Sequence, residues 1–198
     1  MMRSVRSGRD VPYSGVAGYV LTGGRSSRFG SDKALYRFRG KPMALWVAEA
    51  VLTHVPSVTL VGNPDLHSSL GIPVIPDQLP GAGPLGGIVA ALTHANCQWC
   101  LIAACDMPMV AQAPLAALIG KTAGCNGKAI LPRTPDGRVQ PLCAIYSTAA
   151  LAPLEDALLS GVRKVTEALE GLDWEAFDVD SPTPFANINQ VRDMQSLE

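Results

Sequence analysis

The sequence has no lysine or arginine between residues 42 and 120, although it has 16 of these residues in a chain of 198. Nine of the 16 lie in residues 3–41, where the only acidic residues are Asp10 and Asp32. The formal net charge of the whole chain, −1, does not indicate a polyanionic partner, and we expect no nucleic acid partner. The clustered positive charge predicts a solvated basic N-terminus and, close to the glycine-rich segment described below, a phosphate site.

Long apolar runs and paired metal ligands are also missing. No apolar stretch approaches the roughly 20 residues that a membrane span requires, and residues 1–14 lack the apolar core of a secretory signal. We therefore expect no membrane association and interpret residues 1–14 as a flexible extension before one domain at 15–198. The three histidines occur singly, without metal-ligand spacing. Five cysteines, mostly inside apolar runs, favour free thiols and a cytoplasmic protein.

Short apolar runs alternate along the chain with segments whose apolar residues recur at helical spacing. This alternation is typical of a mostly parallel sheet with helices on both faces. It predicts an α/β protein with a single Rossmann-like, three-layer domain. Strands are expected at residues 15–23, 57–62, 72–77, 98–106, 127–133, 139–147 and 174–179. Helices are expected at residues 42–54, 84–95, 112–123, 148–161 and 162–169, and from about residue 190.

In sheets of this kind, ligands bind beyond the carboxyl ends of the strands. The residues that follow the first four predicted strands are therefore candidates for a binding site. They are Thr22 and Gly23 after the first strand, Asn63 after the second, Asp77 after the third and Asp106 after the fourth. We expect these residues to converge on one crevice.

The segment LTGGRSSRFGSDK, residues 21–33, gives the strongest of these signals. Gly23 and Gly24 leave backbone N–H groups unobstructed, so a phosphate can approach the chain closely. Arg28 and Lys33 can neutralise the phosphate oxygens. The segment is not a P-loop, because the pattern G-x-x-x-x-G-K-[ST] is absent. The alternative is a tight turn between strand and helix with a solvated basic flank.

A second glycine-rich segment, GAGPLG at residues 81–86, matches the G-x-G-x-x-G fingerprint of dinucleotide-binding proteins, and Asp106 lies 20 residues further on. We do not interpret it as a dinucleotide site, because Pro84 has no N–H group to offer a pyrophosphate. The segment is also separated from the preceding strand. Contact with a base or ribose through its backbone is the interpretation that stays open.

Asp106 has two interpretations. A carboxylate at the end of a strand can cap the helix that follows, or it can bind Mg²⁺. Mg²⁺ often takes only one or two carboxylates from the protein and completes its shell with water and substrate phosphates. One aspartate opposite a phosphate-binding segment therefore meets the requirement.

The segment LTGGRSSRFGSDKALYRFRGKPM resembles the N-terminal signature of the sugar-nucleotidyltransferase-like superfamily, L-x-G-G-x-x-x-R-x-G-x-D-K-x-L…G-K-P. The segments DQLPGAGPLGGIVAAL, ACDMP, QPLCAIY and FANINQVRDM resemble the molybdenum cofactor guanylyltransferases, and the resemblance extends over about residues 20–194. Gln140 and Pro141 stand where related cytidylyltransferases usually carry G-H-P. Gln190 and Val191 replace the Thr-Pro of the usual closing N-T-P motif. The resemblance implies a fold of the nucleotide-diphospho-sugar transferase type.

The resemblance also implies an activity, the transfer of GMP from GTP to the terminal phosphate of molybdopterin with release of pyrophosphate and with Mg²⁺ as the cofactor. Lys33 would bind the phosphates, Asn63 and Asp77 would lie at the guanine and ribose end, and Asp106 would bind Mg²⁺. The implied nucleotide-binding residues are Leu21, Thr22, Gly23, Gly24, Lys33, Asn63, Asp77 and Asp106. The implied catalytic residues are Lys33, Asp106 and Arg28, and the residues facing the pterin are Asn187 and Asn189.

Such a reaction requires no nucleophilic side chain, because a phosphate monoester is itself a nucleophile. Accessory proteins of cofactor biosynthesis and recipient molybdoenzymes are the further partners that the resemblance implies. Two other classes of function stay open. One is a nucleotidyltransferase that uses CTP or a sugar-phosphate acceptor, and the other is a non-catalytic nucleotide-binding protein on the same fold.

Overall fold

A computed structural model of the protein describes residues 15–23, 32–77, 79, 81–188 and 193. The predicted extension at residues 1–14 lies outside the described residues. The helix predicted from about residue 190 has only residue 193 within them. No helix in the described part of the chain is long and apolar enough to cross a membrane.

Nine strands lie in the described residues, and seven of them form one sheet. The strands are β1 (Val16–Leu21), β2 (Arg37–Phe38), β3 (Lys41–Pro42), β4 (Val58–Gly62), β5 (Val74–Pro76), β6 (Trp99–Ala104), β7 (Ala129–Arg133), β8 (Cys143–Ser147) and β9 (Trp174–Asp178). The order in the seven-stranded sheet is β5-β4-β1-β6-β8-β7-β9, and β2 pairs with β3 in a separate hairpin. The seven strands expected from the sequence are the seven strands of this sheet, each shorter than predicted at one or both ends.

The helices are short, and most of them connect consecutive strands. The α-helices are α1 (Met43–Leu52), α2 (Pro64–His67), α3 (Gly83–His94), α4 (Leu115–Gly120), α5 (Leu151–Leu159) and α6 (Val165–Ala168). Short 3-10 helices lie at Ser68–Leu70, Pro108–Gln112, Lys121–Gly124, Thr148–Ala150, Leu169–Gly171 and Thr183–Phe185. The helix predicted at residues 112–123 is divided, because Pro114 has no N–H group to continue the turn from the preceding 3-10 helix.

One strand runs against the others. β8 is antiparallel to both β6 and β7, whereas β1 is parallel to β4 and β6, β4 to β5, and β7 to β9. The connection from β7 to β8 contains no helix, and a parallel return requires a crossover of a dozen or more residues. The expectation of a mostly parallel sheet is therefore confirmed, with a reversed strand that the periodicity could not show.

Apolar side chains cover both faces of the sheet. Val47 of α1 and Leu118 of α4 belong to the buried cluster on one face, and Ile88 of α3 and Leu154 of α5 belong to the cluster on the other. All four side chains are fully or almost fully buried. The expected three-layer arrangement is therefore confirmed.

Candidate functional site

The carboxyl ends of four neighbouring parallel strands lie at the same edge of the sheet. Leu21 of β1 pairs with Val61 of β4 and with Ala104 of β6, and Gly62 pairs with Pro76 of β5. The residues predicted to converge follow these positions directly in the chain. The pairing therefore confirms that the segments carrying Thr22, Asn63, Asp77 and Asp106 share one edge.

Lys33 and Asp106 form an ion pair at this edge. The Lys33 ammonium lies 3.2 Å from Oδ2 of Asp106, and the two side chains are 21% and 20% exposed. The backbone also holds the aspartate, because the N–H of Cys105 donates to the carbonyl of Leu21 at 3.0 Å. A cation and an anion that remain partly accessible can therefore act on the same ligand.

The second carboxylate oxygen of Asp106 bears on both interpretations of this residue, metal binding and helix capping. Oδ1 is buried and accepts no hydrogen bond from the residues that the structure describes. Within these residues Asp106 caps no helix, and the 3-10 helix that follows has no side-chain cap. A buried anionic oxygen without a donor is costly unless a cation meets it, so Asp106 has the chemistry of a Mg²⁺ ligand.

A metal cage made by the protein alone is not seen in the described part of the chain, which contains no group of three or more His, Cys, Asp or Glu able to hold a metal. Mg²⁺ retains water and takes substrate phosphates alongside one or two carboxylates. The donor set around Asp106 therefore fits a metal ion that arrives with a phosphate ligand.

Asp77 lies between the end of β1 and the first turn of α3. Its Oδ1 accepts a hydrogen bond from the N–H of Leu79 at 3.2 Å. Burial raises the pKa of this carboxyl above its ordinary value, and the hydrogen bond from Leu79 partly offsets the effect. A methyl group on Gly86 would lie 3.1 Å from Oδ1, and one on Gly23 would lie 3.8 Å from Oδ2. The glycines thus leave room for the carboxylate.

The segment at residues 81–86, which matches the dinucleotide fingerprint, lies at the start of α3. A phosphate loop of the dinucleotide-binding type would follow the first strand. Gly81 and Gly83 have φ angles of 85° and 70°, which glycine adopts readily, and α3 begins at Gly83 with a proline in its first turn. Gly86 then packs against Asp77. The segment therefore serves to start α3 beside Asp77.

Two of the predicted nucleotide contacts have side chains that are engaged within the protein. The Thr22 hydroxyl is buried and donates to the carbonyl of Val61 at 2.9 Å. Oδ1 of Asn63 accepts a hydrogen bond from the N–H of Asp65 at 2.9 Å and so caps α2. The Asn63 residue itself is exposed. Because these side-chain groups are already hydrogen-bonded within the protein, a ligand would have to contact other groups of Thr22 and Asn63.

The other predicted residues have varied positions. Leu21 is buried and its side chain lies against α3, where a methyl group on Gly87 would be 3.1 Å from it. Asn187 is exposed, and the N–H of its neighbour Ile188 donates to the carbonyl of Asp106 at 2.8 Å. This bond places Ile188 beside Asp106 of the ion pair. Gly24, Arg28 and Asn189 lie outside the described residues.

Sequence reasoning missed His67. It counted the histidines as isolated, yet His67 is only 2% exposed and contacts two residues at the crevice. Nδ1 lies 2.9 Å from the Thr22 hydroxyl, and Nε2 lies 3.1 Å from Oδ2 of Asp32. The available signal was Asn63-Pro64, a capping residue and a proline that begin a short helix directly after a strand. The partners are distant in sequence and could not be inferred.

The cysteine next to Asp106 is not an activated nucleophile. All five cysteines are free, as expected. Burial raises the pKa of the Cys143 thiol to about 12, and it also raises the pKa of the Cys105 thiol. Thiols of this kind remain protonated at neutral pH and react poorly.

A family model and curated relatives match most of the chain. The MobA-like NTP transferase domain matches residues 18–172. A protein of Ralstonia pickettii named molybdenum cofactor guanylyltransferase is 35% identical over 205 residues, which cover 94% of this chain and 98% of the relative. A protein of Chloroflexus aggregans named probable molybdenum cofactor guanylyltransferase is 34% identical over 196 residues, covering 92% and 93%.

Solved structures agree with this similarity. Molybdopterin-guanine dinucleotide biosynthesis protein A from Archaeoglobus fulgidus superposes with a TM-score of 0.75 at 28% identity, covering 92% of this chain and 96% of that one. 2-C-methyl-D-erythritol 4-phosphate cytidylyltransferase from Thermus thermophilus has a TM-score of 0.66 at 16% identity, covering 90% and 95%. The second similarity is of fold alone. The expected nucleotidyltransferase-type fold is confirmed.

Proposed function

The chain belongs to the MobA-like NTP transferase domain family, and from this premise we propose that it transfers GMP from GTP to the terminal phosphate of molybdopterin or the molybdenum cofactor. Pyrophosphate is the second product. The names of relatives 34% and 35% identical to the chain support this activity. We assign the activity to one nucleotidyltransferase domain at residues 15–198.

The observation that carries the proposal is the Lys33–Asp106 pair, with its 3.2 Å contact and the buried, unbonded Oδ1 of Asp106 within the described residues. A triphosphate bound with Mg²⁺ presents both negative oxygens and a positive metal. Lys33 is suited to the oxygens and Asp106 to the metal, so one ligand would engage both members of the pair.

The chain's own residues act mainly by positioning. The attacking group is the terminal phosphate of the acceptor, which must lie in line with the α-phosphorus of GTP. Lys33 holds phosphate oxygens, and Arg28 is proposed to neutralise the charge that develops on the leaving pyrophosphate. Backbone groups of Leu21, Thr22, Gly23 and Gly24 are proposed to contact the nucleotide.

Asp106 is proposed to bind Mg²⁺. Bound there, Mg²⁺ would neutralise charge on the phosphate oxygens and help to orient the triphosphate. The partial exposure of the Lys33–Asp106 pair supports this role, because both groups are accessible to an incoming ligand. Because Asp106 lies 3.2 Å from the Lys33 ammonium, a metal held by Asp106 would act on the same phosphates as Lys33.

The two ends of the crevice are proposed to recognise different substrates. Asn63 and Asp77 follow β4 and β5 and are proposed to bind guanine and ribose, whose N–H and O–H groups can donate to a carboxylate. Asn187 and Asn189 are proposed to face the pterin, and the bond from Ile188 to the Asp106 carbonyl supports a location beside the metal.

The biological setting is also proposed. Five free cysteines favour a reducing compartment, so we propose that the protein acts in the cytoplasm. Accessory proteins of cofactor biosynthesis and recipient molybdoenzymes are proposed as further partners, since a completed cofactor has to be handed to an enzyme that uses it.

A comparison of four nucleotides tests the proposal. Pyrophosphate release is measured with GTP, ATP, CTP and UTP, with and without Mg²⁺ and molybdopterin. GTP is expected to give the fastest turnover, and only with acceptor and metal together. Faster turnover with CTP would move the chain to a cytidylyltransferase activity, and nucleotide binding without pyrophosphate release would indicate a non-catalytic protein.

A further inference from the structure

His67 is a buried polar side chain that links two segments of the crevice. It ends α2 and lies beneath the edge of the sheet, with Thr22 on one side of its ring and Asp32 on the other. In the sequence these two residues flank the glycine-rich segment. A buried imidazole with a partner on each nitrogen has a single orientation, so it can hold its two partners at a defined separation.

Both ring nitrogens of His67 have a partner. Nδ1 lies 2.9 Å from the Thr22 hydroxyl, a group that can donate or accept, and the same hydroxyl lies 2.9 Å from the Val61 carbonyl. Nε2 lies 3.1 Å from Oδ2 of Asp32, and a carboxylate oxygen accepts, so Nε2 donates there. The ring is thereby held on both sides.

Asp32 connects His67 to the backbone around Lys33. While Oδ2 faces His67, Oδ1 accepts a hydrogen bond from the N–H of Ala34 at 2.8 Å. The carboxylate thereby encloses the backbone of Lys33 in a tight turn. The Lys33 ammonium then reaches Oδ2 of Asp106 at 3.2 Å. One continuous chain of polar contacts therefore runs from β4 through His67 to the ion pair.

Gly62 shows that this arrangement requires space. A methyl group at Gly62 would lie 2.1 Å from the Thr22 hydroxyl oxygen and 2.9 Å from Nδ1 of His67. Both distances are too short for a real contact, and the obstructing groups are themselves hydrogen-bonded. The last residue of β4 has to be glycine for the histidine and threonine to meet above it.

We propose that His67 is a positioning residue, whose buried ring joins Thr22 to Asp32 and so holds Lys33 beside Asp106 for phosphate binding. The structural part of this inference concerns His67 alone. Its consequence for GTP rests on the proposed function.

Nitrogen NMR of the imidazole rings in the full chain tests the structural part without any need for turnover. The spectrum of the wild-type protein is compared with that of His67→Gln, which assigns the His67 signals. We expect a proton on Nε2 of His67 that exchanges slowly with solvent, because it is buried and bonded to Asp32. An Nε2 without a proton would overturn the contact with Asp32.

Steady-state kinetics test the functional part through a pair of substitutions at one position. Thr22→Val keeps the shape of the side chain but removes the hydroxyl that bonds Nδ1, whereas Thr22→Ser keeps the hydroxyl. We expect Thr22→Val to raise the KM for GTP about tenfold with a smaller effect on kcat, because the phosphate-binding lysine is displaced. Thr22→Ser should raise the KM less than Thr22→Val does.

His67→Gln should reproduce the rise in KM, whereas His94→Gln is its control. His94 also makes a hydrogen bond through its ring, to the Tyr19 hydroxyl at 3.0 Å, but it lies at the end of α3 and outside the crevice. Unchanged KM for GTP in folded Thr22→Val and His67→Gln would overturn the positioning role. If the wild type releases no pyrophosphate from GTP, the proposed function fails, and the NMR measurement still decides the arrangement of His67.

Discussion

Two ion pairs at the same edge of the sheet differ in nearly every physical property. Asp106 follows β6 and pairs with Lys33 through one contact of 3.2 Å, with both side chains about four-fifths covered. Arg133 ends β7 and Asp178 ends β9, and these two side chains form two hydrogen bonds of 2.6 and 2.9 Å. They are 45% and 71% exposed.

The two pairs differ in whether both carboxylate oxygens already accept a hydrogen bond. Both oxygens of Asp178 accept from the Arg133 guanidinium, so the pair is satisfied by itself and is screened by water. Oδ1 of Asp106 accepts nothing from the described residues. Exposed pairs contribute little to stability, whereas a covered and incompletely bonded pair is suited to bind a charged ligand. The same edge therefore carries one surface contact and one candidate site.

The largest expected effect comes from Asp106→Asn compared with Asp178→Asn. Both changes replace one carboxylate by an amide of similar size. Asp106→Asn should lower kcat by about a hundredfold or more, because charge stabilisation of the transition state depends on the metal at this position. Asp178→Asn should leave turnover unchanged. The check is pyrophosphate release against Mg²⁺ concentration, with a thermal melt of each variant.

Equal activity in the two aspartate variants would remove the distinction between the pairs. If Asp106 acted only as a structural cap, Asp106→Ala would instead cost about 1 kcal/mol of stability while Asp106→Asn kept full activity.

A smaller effect on turnover is expected from replacing the cation of each pair. Lys33→Ala removes a donor to the phosphates and should raise the KM for GTP roughly tenfold or more, as expected for a hydrogen bond to a charged group. Arg133→Ala is the matched change in the exposed pair and should leave the KM within experimental error. GTP titrations of turnover measure both, and a KM increase in Arg133→Ala equal to that in Lys33→Ala would contradict the assignment.

A further comparison uses two glycines that lie in helices, Gly86 beside Asp77 and Gly171 with open space around it. Gly86→Ala places a methyl group 2.7 Å from Cβ of Ala82 and 3.1 Å from the Asp77 carboxylate. The start of α3 and Asp77 must both shift to make room, so the KM for GTP should rise by about fivefold, equivalent to roughly 1 kcal/mol. At Gly171 a methyl group meets nothing within 4 Å, so Gly171→Ala should have no such effect. Identical GTP titrations of the two variants would show that the space beside Asp77 does not matter to the nucleotide.

The smallest effect concerns acid stability. The hydrogen bond from Arg133 lowers the pKa of Asp178 below the ordinary value of 3.8. Stability from this pair is therefore present above that ordinary value and is lost as the pH falls through the lower, folded value. Melting temperatures of wild type and Asp178→Asn should differ slightly at neutral pH and converge in strong acid. A difference that grows as the pH falls would have the wrong sign.

Much of the fold was predictable because its signals are local. The apolar runs that became β1, β4 and β6 and the proline-initiated helices α1 and α3 are readable from neighbouring residues. The rule that ligands bind at the carboxyl ends of parallel strands then indicated Asp77 and Asp106. The reversal of β8 was not readable, because strand direction depends on the length and path of a connection rather than on periodicity.

The candidate site was predictable in part, and the limit is again physical. Lys33 and Asp106 were expected to meet if their strands were neighbours, and their contact confirms it. His67 was missed because its partners, Thr22 and Asp32, are 45 and 35 residues away in the chain. Its significance lies in a hydrogen-bond geometry that exists only after folding.

Transfer of label from GTP tests the central claim most directly. GTP carrying radioactive phosphorus at the α position is incubated with Mg²⁺, molybdopterin and either wild type, Asp178→Asn or Asp106→Asn. Wild type and Asp178→Asn are expected to move the label into a product that also contains the pterin, whereas folded Asp106→Asn is expected to leave it in GTP. Label transfer by Asp106→Asn at the wild-type rate, or none by the wild type, would contradict the account.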